Sequence, residues 1–261
     1  MARVIAVVNQ KGGVAKTTTV ANLSAGLVRR GFKAMAIDLD HQGDLTKALG
    51  YMYPDQIVYT IADVMNQASH GEEIDPNRGV LITSENIHLM PGNEQLQALE
   101  IWLTNVRGNK LLLKTFVDAV RPKFDFILID CSPSLGILTQ NALVAADEVI
   151  IPMDPLFFES QSLQAILRNM YRIRRNYNPN LGVGGIVFVR KNNSIKFKKG
   201  IVESIRKRYG KHRIVFQTEL PTSVRASEAA AKGKSLVGYQ KWNHLAKAYM
   251  ELVDEVIANG Q

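Results

Sequence analysis

The sequence predicts a doubly wound α/β fold, in which a mostly parallel sheet is flanked by helices on both faces. Predicted strands alternate with predicted helices along all 261 residues, which is the order that a parallel sheet requires. Several strands, such as residues 126–129, are continuously apolar, as expected for strands that helices cover on both faces. A glycine-containing loop joins the first strand to the first helix, a junction typical of this fold.

Hydrophobic periodicity gives the elements in chain order. Apolar runs predict eight strands, over residues 3–9, 34–39, 79–83, 86–90, 124–130, 147–152, 183–189 and 213–217. Apolar positions three and four residues apart predict ten helices, over residues 16–30, 44–50, 60–67, 94–103, 109–121, 137–146, 160–176, 195–209, 223–232 and 240–258. Because the first strand begins at residue 3 and no long linker is present, we expect one domain over residues 1–261.

Composition and cysteine content limit the classes of protein. Hydrophobic residues make up 46% of the chain and charged residues 21%, as in an ordinary globular protein. No apolar run approaches the roughly 20 residues that a membrane-spanning helix needs. The short apolar run at residues 4–8 has no cleavage-like flank, so it predicts a strand and not a signal peptide. Cys131 is the single cysteine, which excludes an internal disulfide bond and favours an intracellular location.

A candidate phosphate-binding loop, N-Q-K-G-G-V-A-K-T-T-T, spans residues 9–19. Gly12 and Gly13 lack a Cβ atom, so the backbone can turn tightly and lie against a phosphate. The positive end of the following helix adds to the attraction for an anion. Lys16 supplies a mobile cation for the β- and γ-phosphates, and the Thr17 hydroxyl is placed to bind Mg²⁺.

This loop departs from the common pattern G-x-x-x-x-G-K-[ST], because Gln10 and Ala15 stand at the two glycine positions. A second lysine, Lys11, lies five residues before Lys16. We expect the methyl group of Ala15 to be tolerated only at a negative φ.

Two carboxylate motifs follow predicted strands. Asp38 and Asp40 lie in I-D-L-D-H-Q-G-D at the end of the second strand, where side chains can position a water molecule or a metal ion beside phosphates. Asp130 ends the apolar strand F-I-L-I-D, so its carboxylate is placed to contact Mg²⁺, through water. The alternative interpretation of Asp40 and Asp44 is that they cap the helix that follows.

The string K-G-G-V-A-K-T-T resembles the deviant Walker A loop of the ParA/MinD family of P-loop ATPases, in which the early lysine is the signature lysine. The motifs of Asp40 and Asp130 are similar to the second and third motifs of that family. Residues 89–93, L-M-P-G-N, and 220–229, L-P-T-S-V-R-A-S-E-A, also resemble family segments. The resemblance covers nearly the whole chain and is to the ParA/Soj-type partition ATPases in particular. This sequence differs from the family's usual pattern at Ala15, His41, Asp44, Ser132 and Thr222.

The resemblance implies a fold of the deviant Walker A type and slow, Mg²⁺-dependent ATP hydrolysis that a partner protein stimulates. The implied cofactors are ATP and Mg²⁺, and the implied catalytic residues are Lys11, Lys16 and Asp40, with Lys11 reaching the nucleotide of a partner subunit. The implied nucleotide contacts are Lys11, Gly12, Gly13, Val14, Ala15, Lys16, Thr17 and Thr18, with Val189 and Pro221 near the adenine. The implied metal contacts are Thr17, Asp38 and Asp130.

Positive charge is concentrated in the C-terminal third. Residues 168–241 contain 18 Lys and Arg against three acidic residues, a net charge of +15, whereas the rest of the chain carries about −7. Such asymmetry predicts a surface that binds a polyanion. Candidate DNA contacts are Arg172, Arg175, Lys198, Lys199, Arg206, Arg208, Arg225, Lys232 and Lys234. The sequence has no zinc-finger spacing and no clear helix-turn-helix pattern, so we expect non-specific contacts to phosphates.

Together, the charge and the resemblance predict a ParA-type partition ATPase for a plasmid or chromosome, without a separate N-terminal DNA-binding domain. The resemblance implies that a homodimer forms with ATP and binds double-stranded DNA non-specifically. It also implies that a ParB-like centromere-binding adaptor stimulates hydrolysis and releases the dimer. We expect a cytoplasmic, nucleoid-associated protein without membrane binding.

Three other functions stay open at this point. A MinD-like membrane switch needs a basic amphipathic C-terminal helix, whereas residues 245–258 are amphipathic but acidic. A positioning ATPase for a protein cargo would also bind DNA and use it as a matrix. A metabolic ligase or reductase of the same superfamily agrees less well with Lys11 and with the single cysteine.

Overall fold

The computed structural model describes residues 1–155, 159–190, 196–209 and 214–259. The strands are β1 (Arg3–Val7), β2 (Ala34–Leu39), β3 (Leu81–Ile82), β4 (His88–Met90), β5 (Phe126–Cys131), β6 (Glu148–Met153), β7 (Gly182–Arg190) and β8 (Val215–Pro221). The α-helices are α1 (Lys16–Arg29), α2 (Asp44–Ala48), α3 (Ile61–Ser69), α4 (Gln95–Leu103), α5 (Leu112–Val120), α6 (Ile137–Ala145), α7 (Glu159–Asn176), α8 (Lys196–Tyr209), α9 (Val224–Ala231), α10 (Leu236–Tyr239) and α11 (His244–Ala258).

One sheet contains these strands in the order β3-β4-β2-β5-β1-β6-β7-β8. Every neighbouring pair is parallel except β3 with β4. Strands β2 to β5 lie on one side of β1 in the sheet, and strands β6 to β8 lie on the other. The loop after β1 therefore lies where a doubly wound sheet forms its ligand-binding crevice. The predicted fold class, a mostly parallel and doubly wound sheet, is confirmed.

Helices cover both faces of the sheet, and the strands explain why. In β1, Val4 and Ala6 belong to the core on one face, whereas Ile5 and Val7 belong to the core on the other. Successive side chains of a strand point to opposite faces, so a strand buried on both sides must be apolar at every position. Full burial of a valine or isoleucine side chain contributes about 1.5–3 kcal/mol to stability.

Several element boundaries differ from the prediction, and two of the differences have a local cause. The predicted helix over residues 240–258 begins later, as α11 at His244, because the side chain of Asn243 accepts a hydrogen bond from the backbone N–H of Leu245 at 2.9 Å and caps the helix there. The predicted strand over residues 213–217 is shifted to β8, which ends at Pro221. Proline is compatible with this position because β8 lies at the edge of the sheet. Residues 195 and 213, where two predicted elements begin, lie outside the described residues.

The C-terminal helix α11 buries its apolar face. Leu245, Leu252 and Val256 are buried in the core, and α11 packs against α1. Gly26 of α1 permits this approach, because a Cβ atom there would lie against the side chain of Val253. Nowhere in the described ranges does a helix have the length and apolar character needed to cross a lipid bilayer.

Candidate functional site

The sequence motifs meet at the carboxyl ends of three adjacent strands. The register pairs Asp38 of β2 with Asp130 of β5, and Asp130 with Val7 of β1, directly before the loop. Because neighbouring strands lie about 4.8 Å apart, the loop and both carboxylates share one small region. The structure therefore brings together the residues that the sequence analysis assigns to phosphate and metal.

Asn9, which the sequence analysis does not single out, fixes the start of the loop. Its side-chain amide donates to the carbonyl oxygen of Pro152 on β6 at 2.7 Å. Its Oδ1 accepts from the backbone N–H of Lys11 at 3.0 Å. This Asx turn orients the backbone at Lys11. An asparagine directly after an apolar strand is the available sequence signal.

The N-terminus of α1 is prepared for an anion. The helix has no side-chain cap and no acidic residue in its first turn, so its first N–H groups are available to a ligand. Lys16 is 7% exposed, and its ammonium lies 3.4 Å from the carbonyl oxygen of Lys11. A Cβ atom on Gly12 would meet no atom within 4 Å, so there is open space beside the loop. These features fit a bound phosphate.

Ala15 contradicts the expectation of a negative φ. Its φ of 63° and ψ of 30° place it in the left-handed region, at the N-cap of α1. This conformation costs an L-residue roughly 1–2 kcal/mol relative to the right-handed region. The backbone N–H of Thr19 donates to the carbonyl oxygen of Ala15 at 2.8 Å, so the helix holds the residue there. The loop therefore contains local backbone strain.

We expect Ala15→Gly to raise the free energy of unfolding by about 0.5–1 kcal/mol. Glycine removes the strain at positive φ but also gains entropy in the unfolded chain, which offsets part of the gain. Urea denaturation of the nucleotide-free protein measures the difference. The matched control is Ala98→Gly, at an exposed position of α4, which should lower stability by about 1 kcal/mol. A less stable Ala15→Gly protein would contradict the strain at this position.

Asp130 supplies a buried carboxylate without a hydrogen bond. Neither of its oxygens has a hydrogen-bond partner among the described residues. Burial raises its pKa well above the usual range and Asp38 raises it further, whereas the nearby Thr17 hydroxyl and Lys16 ammonium oppose that shift. The Thr17 hydroxyl lies near Asp130 but forms no hydrogen bond with it. An unpaired carboxylate beside a hydroxyl fits Mg²⁺, which prefers oxygen ligands.

Asp38 is engaged in structural hydrogen bonds. Its Oδ2 accepts from the backbone N–H of Thr46 at 2.8 Å and from the Thr46 hydroxyl at 2.6 Å. The Thr46 hydroxyl in turn accepts from the backbone N–H of Gly92 at 3.1 Å. A Cβ atom on Gly92 would overlap the carbonyl oxygen of Asp38. Burial raises the pKa of Asp38 to about 6 despite these bonds. Asp38 thus anchors α2 and the P-G-N turn, which the motif alone does not reveal.

Asp40 lies at the rim of the site with its side chain 14% exposed. Its Oδ1 accepts from the backbone N–H of Gln42 at 3.1 Å and lies 3.5 Å from Nδ1 of His41. Its own N–H donates to Asp38 at 3.3 Å. The alternative interpretation of Asp40 as a helix cap is wrong, because Gly43 is the N-cap of α2 and no side chain caps that helix. The contacts of Asp40 with Asp38 and with Gln42 therefore hold the Asp40 carboxylate at the opening of the site.

The predicted adenine contacts lie on β7 and β8, two and three strands from β1. At about 4.8 Å per strand, this places them on the order of 10–14 Å from the loop. Val189 is buried in the core, whereas Pro221 is partly exposed at the end of β8. Their role toward adenine stays a prediction.

A cleft of about 370 Å³ lies nearer to the loop. Its walls come from α1, α2, α9 and the turn after α9, and they include Thr17, Thr18, Asp44, Lys47 and Lys234. This cleft is not predictable from the sequence, because segments far apart in the chain form it. Asp44 pairs with Lys47 at 3.2 Å and does not cap α2, and the predicted DNA contact Lys234 lines the cleft beside the loop.

The predicted basic residues lie on opposite faces of the sheet. Ile166 of α7 and Ile205 of α8 belong to the core on one face, whereas Ala229 of α9 and Leu245 of α11 belong to the other. The basic residues of 168–241 are therefore carried by helices on both faces of the sheet, and their role toward DNA stays a prediction. The structure gives two clusters, because the sheet separates the helices that carry the charges.

On the face covered by α7 and α8, the predicted DNA-contacting side chains differ in how exposed they are. Arg172 and Arg175 are exposed on α7. Arg206 is partly buried, with its guanidinium 5.8 Å from the ring of Phe188 and bonded to Gln217 and Glu219. Arg208 is exposed. The side chains of Lys198 and Lys199 lie outside the described part of the structure.

On the second face, Arg225 and Lys232 are exposed. The Arg225 guanidinium pairs with Glu228 at 2.6 Å. Exposed ion pairs of this kind are weak because water and salt screen them, so this pairing leaves Arg225 able to exchange partners. The Lys232 ammonium lies 5.4 Å from the centre of the Tyr239 ring.

Known proteins resemble this chain along its whole length. Residues 2–183 match the family model described as an AAA domain. The chain is 34% identical to the sporulation initiation inhibitor protein Soj of Bacillus subtilis, with 100% of both proteins covered. It is 33% identical to the chromosome partitioning protein ParA of Caulobacter vibrioides, covering 98% of this chain and 94% of the relative.

Among solved structures, a cobyrinic acid a,c-diamide synthase from Mycobacterium smegmatis with bound ADP and magnesium superposes with a TM-score of 0.84. It is 30% identical, over 100% of this chain and 96% of that one. The full-length match to Soj and ParA agrees with the loop, the two carboxylate strands and the strand order described above. The chain is therefore an ATPase of the ParA/Soj family of chromosome-partitioning proteins, within the ParA/MinD group.

Proposed function

We propose that this protein is a partition ATPase whose dimer binds DNA when ATP is bound and leaves it after hydrolysis. The observation that carries the proposal is the pair Lys11 and Lys16 in one loop, held together by the hydrogen bond from Lys16 to the Lys11 carbonyl. One lysine is buried beside its own phosphate site, and the other is at the exposed surface of the loop. This division suits one cation for the bound nucleotide and one for a nucleotide in a second subunit.

The nucleotide site proposed here uses groups already placed for it. The first N–H groups of α1 and the Lys16 ammonium would bind the phosphates. Thr17 and Asp130 would hold Mg²⁺, and Asp38 would support them from β2. Mg²⁺ supplies charge neutralisation on the phosphates when it is bound.

Hydrolysis would depend on positioning and electrostatics. Asp40 is the partly exposed carboxylate at the opening, so it is the group able to orient an attacking water molecule and accept its proton. Lys16, and Lys11 from the second subunit, would stabilise negative charge on the γ-phosphate. A site that is complete only in the dimer makes turnover slow until a partner aligns it. A ParB-like adaptor is the partner we propose.

The rival functions have different structural requirements. A MinD-like membrane switch would need an apolar helix face that is free to enter a bilayer, whereas α11 buries its apolar face against α1. A protein-cargo positioning ATPase would share the DNA-binding step and differ only in its adaptor. A diamide synthase would consume ATP in response to a small carboxylic acid substrate, so its hydrolysis would be independent of DNA.

Binding of a random-sequence DNA duplex tests the proposal. We expect tight binding with ATP and weak binding with ADP or without nucleotide. Between 50 and 200 mM salt the affinity should fall steeply, by about 10³-fold if six phosphates are contacted. Fluorescence anisotropy of labelled DNA measures this at each salt concentration. Absence of binding in every nucleotide state would contradict the proposed DNA switch. ATP turnover that responds only to a small acid would favour the synthase.

A further inference from the structure

Two arginines of α7 line a cleft of about 500 Å³ between α7 and α6, which we call the α6–α7 cleft. Ile166 of α7 and Leu138 of α6 belong to the core on this face of the sheet, whereas Val20 of α1 belongs to the core on the other. The cleft is therefore separate from the phosphate-binding loop. Its polar lining side chains include Lys110, Gln140, Arg168, Asn169, Arg172 and Asn176.

The cleft gathers positive charge without an acidic partner. Lys110, Arg168 and Arg172 line it, and none of its described lining residues is acidic. Arg168 and Arg172 are one helical turn apart, where like charges repel and lower helix stability. Neither guanidinium forms a hydrogen bond or an ion pair with any residue in the part of the chain that the structure describes. A bound anion would offset this repulsion.

Side-chain hydrogen bonds fix the walls of the cleft. The amide of Asn178, which follows α7, donates to three carbonyl oxygens at the end of α6 at 2.7–3.2 Å. The amide of Asn141 on α6 donates to the carbonyl oxygen of Asn109 at 2.7 Å and so holds the segment that carries Lys110. The Lys110 ammonium donates to the Tyr177 hydroxyl at 3.4 Å. The concave shape is therefore formed before any ligand binds.

The lining favours a small ligand with more than one phosphate group. A guanidinium binds phosphate oxygens through two parallel hydrogen bonds, and three cations match a group that carries several negative charges. The side-chain amides of Gln140, Asn169 and Asn176 offer further hydrogen bonds. A cleft of this volume has the size of a small-molecule site, whereas the convex rod of a DNA duplex does not fit within it.

We propose that the α6–α7 cleft binds a small molecule that carries a diphosphate group, held by Arg168 and Arg172 with Lys110 beside them. The site is additional to the nucleotide site at the start of α1. It does not depend on the proposed DNA switch, and it assigns Arg172, a predicted DNA contact, to a different ligand.

Calorimetry with the nucleotide site already filled tests the proposal. Wild-type protein is saturated with ADP and excess Mg²⁺, and inorganic pyrophosphate or UDP is then titrated in. We expect one further binding event per chain with at least one of these probes, with a Kd below about 1 mM. Equal affinities would identify the diphosphate group alone as the ligand, whereas tighter UDP binding would show that the cleft also contacts the nucleoside. No further binding event with either probe would overturn the proposal.

Substitutions on α7 supply the matched controls. Arg168→Gln and Arg172→Gln should each weaken probe binding about tenfold or more, because each removes charge-assisted hydrogen bonds. Arg172→Lys keeps the charge but loses the paired donors, so its affinity should lie between the two. Arg174→Gln, at an exposed position outside the cleft, should bind like wild type. Equal weakening by Arg174→Gln would overturn the proposal, since net charge alone would then explain binding. ADP binding by each variant shows that the fold is intact.

Two other polyanions give distinguishable results on the same variants. If a polyglutamate peptide binds and neither phosphate probe does, the cleft takes an acidic protein segment and the proposal is wrong. If neither phosphate probe binds and Arg168→Gln lowers the affinity for a random-sequence duplex, these arginines contact DNA and the proposal is also wrong. Wild-type protein that binds pyrophosphate but no DNA would overturn the DNA switch and support this site.

Discussion

Lys11→Ala is expected to abolish the ATP-dependent dimer while the monomer still binds ATP. Both loop hydrogen bonds described for Lys11 use its backbone, since its N–H donates to Asn9 and its carbonyl accepts from Lys16. Alanine therefore keeps these two backbone bonds and removes the side-chain cation. Loss of one partner of a buried charge pair at an interface costs about 2–5 kcal/mol, and a symmetric dimer loses two. Light scattering with a slowly hydrolysed ATP analogue measures the loss.

Two matched variants make this result specific. Lys114→Ala removes another lysine, paired with Asp118 on α5 at 2.6 Å, and should leave the dimer intact. Lys16→Ala should lose nucleotide binding itself, because Lys16 lies buried beside the phosphate site. A Lys11→Ala protein that dimerises normally with ATP would contradict a role for Lys11 across the interface. A variant that no longer binds ATP would show that Lys11 serves its own site.

Local sequence was sufficient to predict the fold and the position of the site. Each strand buried on both faces is a continuous apolar run, as in residues 126–129, and such a run needs no long-range information. The loop at residues 9–19 follows such a strand, and Asp38 and Asp130 lie near the carboxyl ends of two others. Because parallel strands share one carboxyl edge, locating the strands also located these residues together.

The features that the sequence did not predict depend on contacts distant in the chain. The Thr46 hydroxyl joins Asp38 to Gly92, which lies 46 residues from Thr46 along the chain. The left-handed φ of Ala15 follows from where α1 begins, whereas residue type alone favours a negative φ. The basic residues lie in one stretch of the sequence, but the helices that carry them pack on both faces of the sheet, because α7 and α8 cover one face whereas α9 and α11 cover the other.

Asp40→Ala is expected to lower the rate of ATP hydrolysis at least 100-fold and to leave the ATP dimer bound to DNA. General-base assistance typically contributes 10²–10⁴-fold to a rate. The structure supports this role, since Asp40 is the partly exposed carboxylate at the opening, whereas Asp38 is tied to Thr46. Phosphate release at saturating ATP measures turnover, and DNA anisotropy measures retention. Asp44→Ala, at the neighbouring exposed acid, should leave both unchanged.

Asp40→Asn separates the chemistry of Asp40 from its structural contact. Asparagine retains an oxygen that can accept from the N–H of Gln42, which Asp40 holds at 3.1 Å, but it carries no negative charge. If Asp40 accepts a proton, the asparagine and alanine variants should be equally slow. If the turn at Gln42 is what matters, asparagine should retain most of the turnover and alanine should lose it. Wild-type turnover in both variants would remove Asp40 from catalysis, and His41, 3.5 Å away, would become the next residue to replace.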